Sequence, residues 1–276
     1  MKVTNFQKGA HIKENHPKMT NQHPFSLSGK VAIITGASKG IGESIAQAYA
    51  QAGAKVVVNS RKQEAVDEVA NAINEATNNG ISAIGVAGQV GNAADCKAIF
   101  DAAIAAFGRV DIIVNNAAAN PVFGPVEQTD DRAFNKIMDV NVKAPFELAK
   151  LCLPVMQANG GGSIVNISSI GGVSPENFLG IYSVSKAALI SLTKVMAREW
   201  GQYNIRANVI CPGLIQTKFS EALWKNDKIL QHVLEKVPLN RVGQPDEISG
   251  LALFLASDAA GYCTGSVFMA DGGYLV

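Results

Sequence analysis

The chain has 276 residues, with 24 Lys and Arg against 23 Asp and Glu and a formal net charge of +1 at pH 7. That balance, without a basic run, offers no electrostatic handle for nucleic acid or an anionic membrane surface, and points to small neutral partners. Cys96, Cys152, Cys211 and Cys263 stand apart with no C-x-x-C pair, so they are expected as unpaired thiols of a reducing, cytoplasmic compartment and are assigned no chemistry.

Residues 1–26 are polar, carry Lys2, Lys8, Lys13 and Lys18, and have no sustained apolar stretch. They are expected as a flexible extension without a secretory core, with Met19 as a candidate start. His11, His16 and His23 lie in this tail without cysteine or carboxylate partners at ligand spacing, so no metal is expected.

From residue 27 to 276, apolar runs alternate with helical patterns at βαβ spacing and no linker divides them, which predicts one α/β domain built on a doubly wound parallel sheet with helices on both faces. Strands are expected at 31–35, 55–59, 81–86, 111–114, 163–168, 205–210 and 266–269. Helices are expected at 40–52, 62–77, 93–107, 131–158, 181–201 and 245–256. In such a sheet the first strand lies inside, and a ligand crosses the carboxyl ends of the strands where their order reverses.

The first strand runs into Thr35-Gly36-Ala37-Ser38-Lys39-Gly40-Ile41-Gly42. Its glycines permit a tight turn and let a pyrophosphate approach backbone N–H groups at the start of a helix. The spacing is Gly-x-x-x-Gly-x-Gly, which differs from the commoner dinucleotide fingerprint. At the end of the second strand, Asn59-Ser60-Arg61-Lys62 offers no carboxylate to hold ribose hydroxyls. Arg61 can instead grip a 2′-phosphate, with Lys39 adding charge from the other side, which favours NADPH/NADP+ over NADH.

Farther on, Pro145 follows Asn141 by four residues in an expected helix. Proline has no N–H to give the Asn141 carbonyl, so the helix should bend or loosen there. Ser168 and Ser169 are adjacent at a strand end and must point to opposite faces. Tyr182 and Lys186 stand at i and i+4, where a helix brings the ammonium near the phenol and should lower the phenol pKa toward neutral.

These motifs, in this order, resemble the short-chain dehydrogenase/reductase family from about residue 27 to the C-terminus. The resemblance implies that Asn116 and Ala117, in Asn115-Asn116-Ala117-Ala118, line the cofactor site. It also implies that Gln89 and Val90 flank the adenine, with Gln89 where the family usually has an acid. Pro212, Gly213, Ile215 and Thr217 match the nicotinamide loop. The implied catalytic set is Asn141, Ser169, Tyr182 and Lys186: Ser169 polarises the carbonyl oxygen, Tyr182 supplies the proton, Lys186 holds the ribose, and the Asn141 carbonyl holds a relay water. Within the family, Asn120-Pro121-Val122-Phe123-Gly124 and Asn141-Val142-Lys143-Ala144-Pro145 are most similar to the NADPH-dependent carbonyl and retinal reductases.

The expected reaction is therefore reduction of a ketone, aldehyde or α-dicarbonyl, with a 3-oxoacyl thioester as alternative substrate and a non-catalytic NADPH-binding module as the alternative of another class. Residues 216–240 carry no firm fold signal and are expected as a mobile lid bearing Phe219, Leu223 and Trp224, which with Phe123, Val173 and Phe178 would make an apolar pocket. The family resemblance implies a homotetramer. Small or apolar Ala187, Ala188, Ser191 and Val195 and the apolar C-terminal tail suit close contact between subunits.

Overall fold

Seven apolar runs become seven parallel strands in the computed structural model, which describes residues 23–77 and 80–276. In chain order they are β1 (Val31–Ile34), β2 (Lys55–Ser60), β3 (Ala83–Ala87), β4 (Ile112–Asn115), β5 (Gly162–Ile167), β6 (Ile205–Pro212) and β7 (Val267–Ala270). They lie in the order β3-β2-β1-β4-β5-β6-β7. The order reverses between β1 and β4, where Ala32, Ile33 and Ile34 pair with Ile112, Ile113 and Val114.

Alternation along each strand sorts side chains into two cores. Ala32, Ile34, Val56 and Val58 face one core with α1 (Gly40–Gln51), α2 (Gln63–Thr77) and α9 (Pro245–Ala256). Ile33, Val57, Ile113 and Ile164 face the other with α3 (Ala93–Phe107), α5 (Ala144–Ala158) and α6 (Gly180–Trp200). The inner strands β1, β2, β4, β5 and β6 are buried on both faces, as a parallel sheet covered by helices requires, whereas the edge strands β3 and β7 are only partly buried. Tyr49, fully buried on α1, donates its hydroxyl to the Ala252 carbonyl of α9 at 2.8 Å, so its one polar atom is satisfied.

The expected helix at 131–158 is divided. Helix α4 (Asp131–Met138) passes through a π turn at Asp139–Lys143 into α5, and the Ala144 N–H reaches the Asp139 carbonyl. The widened turn immediately precedes Pro145, which removes one of the N–H donors a regular helix would use there. The expected lid at 216–240 also differs, because it contains two helices, α7 (Glu221–Trp224) and α8 (Asp227–Leu234). Ser220 bonds to the Ile215 carbonyl, and the Trp224 indole donates to the Thr217 carbonyl at 2.9 Å.

Residues just before 27 already touch the body. The Phe25 ring packs 6.4 Å from Phe254, and the Ala259 N–H reaches the Pro24 carbonyl at 3.3 Å. His11, His16 and Met19 lie outside the described residues, while the His23 ring accepts the Phe25 N–H at 3.3 Å. Among the described residues no helix is long and apolar enough to cross a membrane, and no three His, Cys, Asp or Glu side chains gather as a metal group would need.

Candidate active site

All the strand ends that bear motif residues open on one edge of the sheet, around a cavity of about 560 Å³. The β1 turn forms its floor. Gly36 and Gly40 have φ of 65° and 62°, in the left-handed region that favours glycine. A Cβ on Gly36 would stand 2.9 Å from the Ala117 Cα, so the backbones of the β1 and β4 loops can approach only because that atom is missing. Thr35 and Asn116 staple the two loops: the Asn116 and Ala117 N–H groups each reach Thr35 Oγ1 at 3.1 Å, and Asn116 Nδ2 donates to the Thr35 carbonyl at 2.9 Å.

Of the residues proposed from the sequence, Gly36, Ser38, Lys39, Gly40, Ile41, Ser60, Arg61, Gln89 and Val90 line one arm of the cavity. Asn116, Ala117, Ser169, Tyr182, Lys186, Pro212, Gly213, Ile215 and Thr217 line the remainder. Two expected site residues do not reach the wall. Gly42 lies behind it, where a Cβ would meet Asn116 Nδ2 at 2.5 Å, so its smallness serves packing between the loops. Asn141 is fully buried beneath the wall.

From there the Asn141 side chain holds two elements together. Its Oδ1 accepts the Ala119 N–H at 2.8 Å, and its Nδ2 donates to the Ala119 carbonyl at 3.0 Å and to Ser185 Oγ at 2.9 Å. Ser185 in turn donates to the Tyr182 carbonyl at 2.6 Å. A second chain runs under the strand ends, Asn115 Nδ2 to Asn166 Oδ1 and Asn166 Nδ2 to Thr193 Oγ1, both at 2.8 Å. Asn166, Ser185 and Thr193 were missed in the sequence, where buried amides inside apolar runs were the available signal.

The two adjacent serines divide as expected. Ser168 Oγ turns inward and donates to the Lys186 carbonyl at 2.9 Å, whereas Ser169 Oγ accepts the Gly171 N–H at 3.1 Å and lies in hydrogen-bond reach of the Tyr182 hydroxyl. Lys186 Nζ stands 5.6 Å from the Tyr182 ring centroid and donates to the Ile167 carbonyl at 2.8 Å.

The expected lowering of the phenol is not found. Burial pushes Tyr182 up to about 12, against a smaller opposing effect of the Ser169 hydroxyl, while Glu176 and Cys211 add to the rise. Burial likewise lowers Lys186 to about 8. The i, i+4 spacing foresaw the neighbour but not that both groups would be taken out of water together, which disfavours each charged form.

Lys39, Arg61, Lys136, Lys186 and Lys218 line the cavity, and among the described residues no Asp or Glu does. Lys136 and Lys218 were not foreseen, because they arrive from α4 and from the segment before α7 through tertiary approach. Asn59 Oδ1 is buried without a hydrogen-bond partner on the same wall, while its Nδ2 donates to the Val86 and Gly88 carbonyls at 3.0 and 3.2 Å. An orphaned acceptor, five cationic side chains and a glycine cradle are what a polyanionic dinucleotide with free hydroxyl donors would require.

Of the expected pocket residues, Phe219 lines the cavity with its ring 6.2 Å from that of Tyr182. Phe123, Val173 and Phe178 are exposed outside it, Phe123 and Phe178 with ring centroids 5.9 Å apart. Leu223 and Trp224 are half-buried away from its wall.

A family model described as enoyl-(acyl carrier protein) reductase matches residues 36–275. The chain is 42% identical over 247 residues to dehydrogenase/reductase SDR family member 4 of Oryctolagus cuniculus, covering 90% of this chain and 94% of the relative. The chain belongs to the short-chain dehydrogenase/reductase family. Among solved structures it is similar to L-sorbose reductase from Gluconobacter frateurii complexed with NADPH and L-sorbose, with 35% identity, a TM-score of 0.86, and coverage of 92% and 99% of the two chains. It is also similar to a gluconate 5-dehydrogenase from Burkholderia cenocepacia in complex with NADP and tartrate, with 32% identity, a TM-score of 0.86, and coverage of 91% and 97%. Another similar structure, a 7α-hydroxysteroid dehydrogenase, holds NADH. This short-chain dehydrogenase/reductase is an NAD(P)-dependent oxidoreductase.

Proposed function

We propose that the chain reduces a ketone, aldehyde or α-dicarbonyl to an alcohol, using NADPH and taking the proton from Tyr182. The observation that carries this reading is a phenol held neutral by burial, within reach of the Ser169 hydroxyl, above a lysine at the inner end of a cavity lined by cations. NADPH, when bound, supplies the hydride. The chain's residues do the rest.

The turn residues Gly36, Ser38, Lys39, Gly40 and Ile41 would hold the pyrophosphate through backbone N–H groups and one ammonium. Ser60 and Arg61 would take the 2′-phosphate, with Lys39 opposite; Ser38 Oγ already donates to Ser60 Oγ at 3.0 Å and fixes that corner. Gln89 and Val90 would flank the adenine. Asn116 and Ala117 form the floor, and Pro212, Gly213, Ile215 and Thr217 would hold the carboxamide end. Lys186 would bind the ribose, and Ser169 and Tyr182 would meet the substrate oxygen. Ser169 polarises that oxygen and Tyr182 protonates it as charge develops. The Lys186 ammonium then returns a proton to the phenolate, and a water on the Asn141 carbonyl links Lys186 to solvent, from which it is reprotonated.

On this reading residues 27–276 work as one catalytic domain, as a homotetramer in the cytoplasm, on a substrate met in solution. The described free thiols, three of them buried, suit a reducing compartment.

The test is NADPH and NADH oxidation over a panel of ketones, aldehydes, α-dicarbonyls and 3-oxoacyl thioesters, with the parent and Tyr182→Phe. Turnover of a simple carbonyl with NADPH preferred, falling about 100-fold or more in the variant with cofactor fluorescence retained, is the expected outcome. Preference for the thioesters would select the alternative substrate. Absence of turnover with retained NADPH binding would select a binding module.

A further inference from the structure

Of the cations that line the cavity, Lys39 and Arg61 are claimed by the phosphates of the proposed cofactor and Lys186 by its ribose. Lys136 stands at the far arm, where a Cβ on Gly91 would lie 3.8 Å from its Nζ, next to Gln89 and Val90. Lys218 is left without a task.

The segment that bears Lys218 runs from the glycine cradle to the phenol. A Cβ on Gly40, the first residue of α1, would stand 3.2 Å from Thr217 Cγ2, so Thr217 rests against the start of the helix whose N–H groups would meet a pyrophosphate. Beyond it, Phe219 lines the cavity with its ring 6.2 Å from that of Tyr182. Lys218 lies between these two and lines the same cavity. The backbone here is held by its own hydrogen bonds: Ser220 Oγ donates to the Ile215 carbonyl and lies 3.0 Å from Thr217 Oγ1, and Trp224 Nε1 donates to the Thr217 carbonyl at 2.9 Å. Only the Lys218 side chain need move.

Lys218 is paired with Glu221, and so is Lys225, so that two ammonium groups share one carboxylate. The Lys218 side chain is 65% exposed. An exposed ion pair contributes about 1 kcal/mol or less, so giving this one up costs little. Lys225, which also lies over the Trp224 ring at 5.5 Å, would still neutralise Glu221. A pyrophosphate at the cradle offers two negative charges in a cavity that no described carboxylate lines, and an ammonium on a long flexible stem is suited to meet them.

We propose that Lys218 is a cofactor-binding residue that leaves Glu221 to grip the pyrophosphate of the dinucleotide. The proposal rests on the NADPH reading above. Glu221 is then a competitor of the cofactor: it holds the ammonium away in the free protein and lowers cofactor affinity by the strength of the pair. Because NADPH and NADH share the pyrophosphate, the effect is blind to the 2′-phosphate, unlike that of Arg61.

The experiment measures dissociation constants for NADPH and NADH by cofactor fluorescence on the full chain. The proteins are the parent, Lys218→Gln, Lys218→Arg, Glu221→Gln, and Lys218→Gln combined with Glu221→Gln. Lys218→Gln should weaken both cofactors by about tenfold, as loss of a hydrogen bond to a charged group does. Lys218→Arg, which keeps a phosphate-binding charge, should stay within about threefold of the parent. Glu221→Gln should tighten both cofactors by about threefold, in line with the strength of an exposed pair. That gain should vanish in the combined variant, where no ammonium is left to release.

A loss confined to NADPH would put Lys218 on the 2′-phosphate and overturn the proposal. Unchanged binding in Lys218→Gln, or a gain from Glu221→Gln that persists without Lys218, would overturn it too. Constants that follow the expected signs in a protein that reduces no carbonyl would sink the reductase reading and leave Lys218 on the pyrophosphate. A parent that binds neither cofactor would overturn both.

Discussion

At the scale of single residues, the site is governed by competition between burial and neighbouring charge. Tyr182 near 12 remains protonated through neutral pH, whereas Lys186 near 8 does not keep its proton far above that value. The sign follows directly. Below about 8 Lys186 is an ammonium able to pass a proton to the phenol, and as pH rises through about 8 that proton is lost. The value of kcat/KM for reduction at limiting NADPH, which reports the free enzyme, should therefore be level below pH 8 and fall about tenfold per unit above it. Lys186→Arg keeps its charge, so its profile should lose that limb while its maximum rate drops. A limb near 8 that survives in Lys186→Arg would belong to another group. Sequence spacing made Tyr182, Lys186 and Ser169 legible as a set, but the direction of the phenol shift was not, because burial depends on the packing of β5, β6 and α6 around them.

At the scale of elements, the strands of a parallel sheet covered by helices are mostly apolar runs, and that is why all seven were legible to within a residue or two at most ends. The short helices α7 and α8 were not. Helices of four and eight residues are too short to declare themselves by periodicity, and here the Thr217, Ser220 and Trp224 bonds tie α7 to the chain before it. Lys136 shows the same limit, since only the packing of α4 beside the loop after β3 brings it to the cavity. Pro145 was legible as a defect in a helix, and the structure gives the defect its form, a π turn holding Asn141. Pro145→Ala should supply the absent N–H and favour a regular helix through Asn141, with unfolding raised by about 1 kcal/mol or more. Closing that turn would also move the Asn141 clamp on Ala119 and Ser185, so proton delivery should slow. A lower kcat with a larger solvent isotope effect in the more stable variant is the expected pair of readings. An unchanged kcat would reduce Pro145 to a helix kink.

At the scale of the whole molecule, the sequence left open whether the small residues of α6 face the sheet or a partner. Val184, Ala187, Ser191 and Val195 are exposed, and their spacing places them on one stripe of the helix. The opposite stripe, with Leu189, Thr193 and Met196, is buried. Phe134 on α4 and Phe146 on α5 are exposed too, at 41% and 38%, so apolar surface is found on each of these three helices and at the far end of the chain, where Val276 is fully exposed. Such surface is costly on a monomer, and small side chains at Ala187 and Ser191 would let a second copy of the helix come close. We expect a homotetramer in solution. Ser191→Arg, whose side chain starts from an exposed position and disturbs no core contact, should weaken the helix contact, and deletion of Tyr274 to Val276 should weaken association through the tail. Light scattering at micromolar concentration decides the matter: a tetramer that falls to dimers in either variant supports two separate contact surfaces. A parent that is already an active monomer would show that the exposed stripe of α6 serves no assembly.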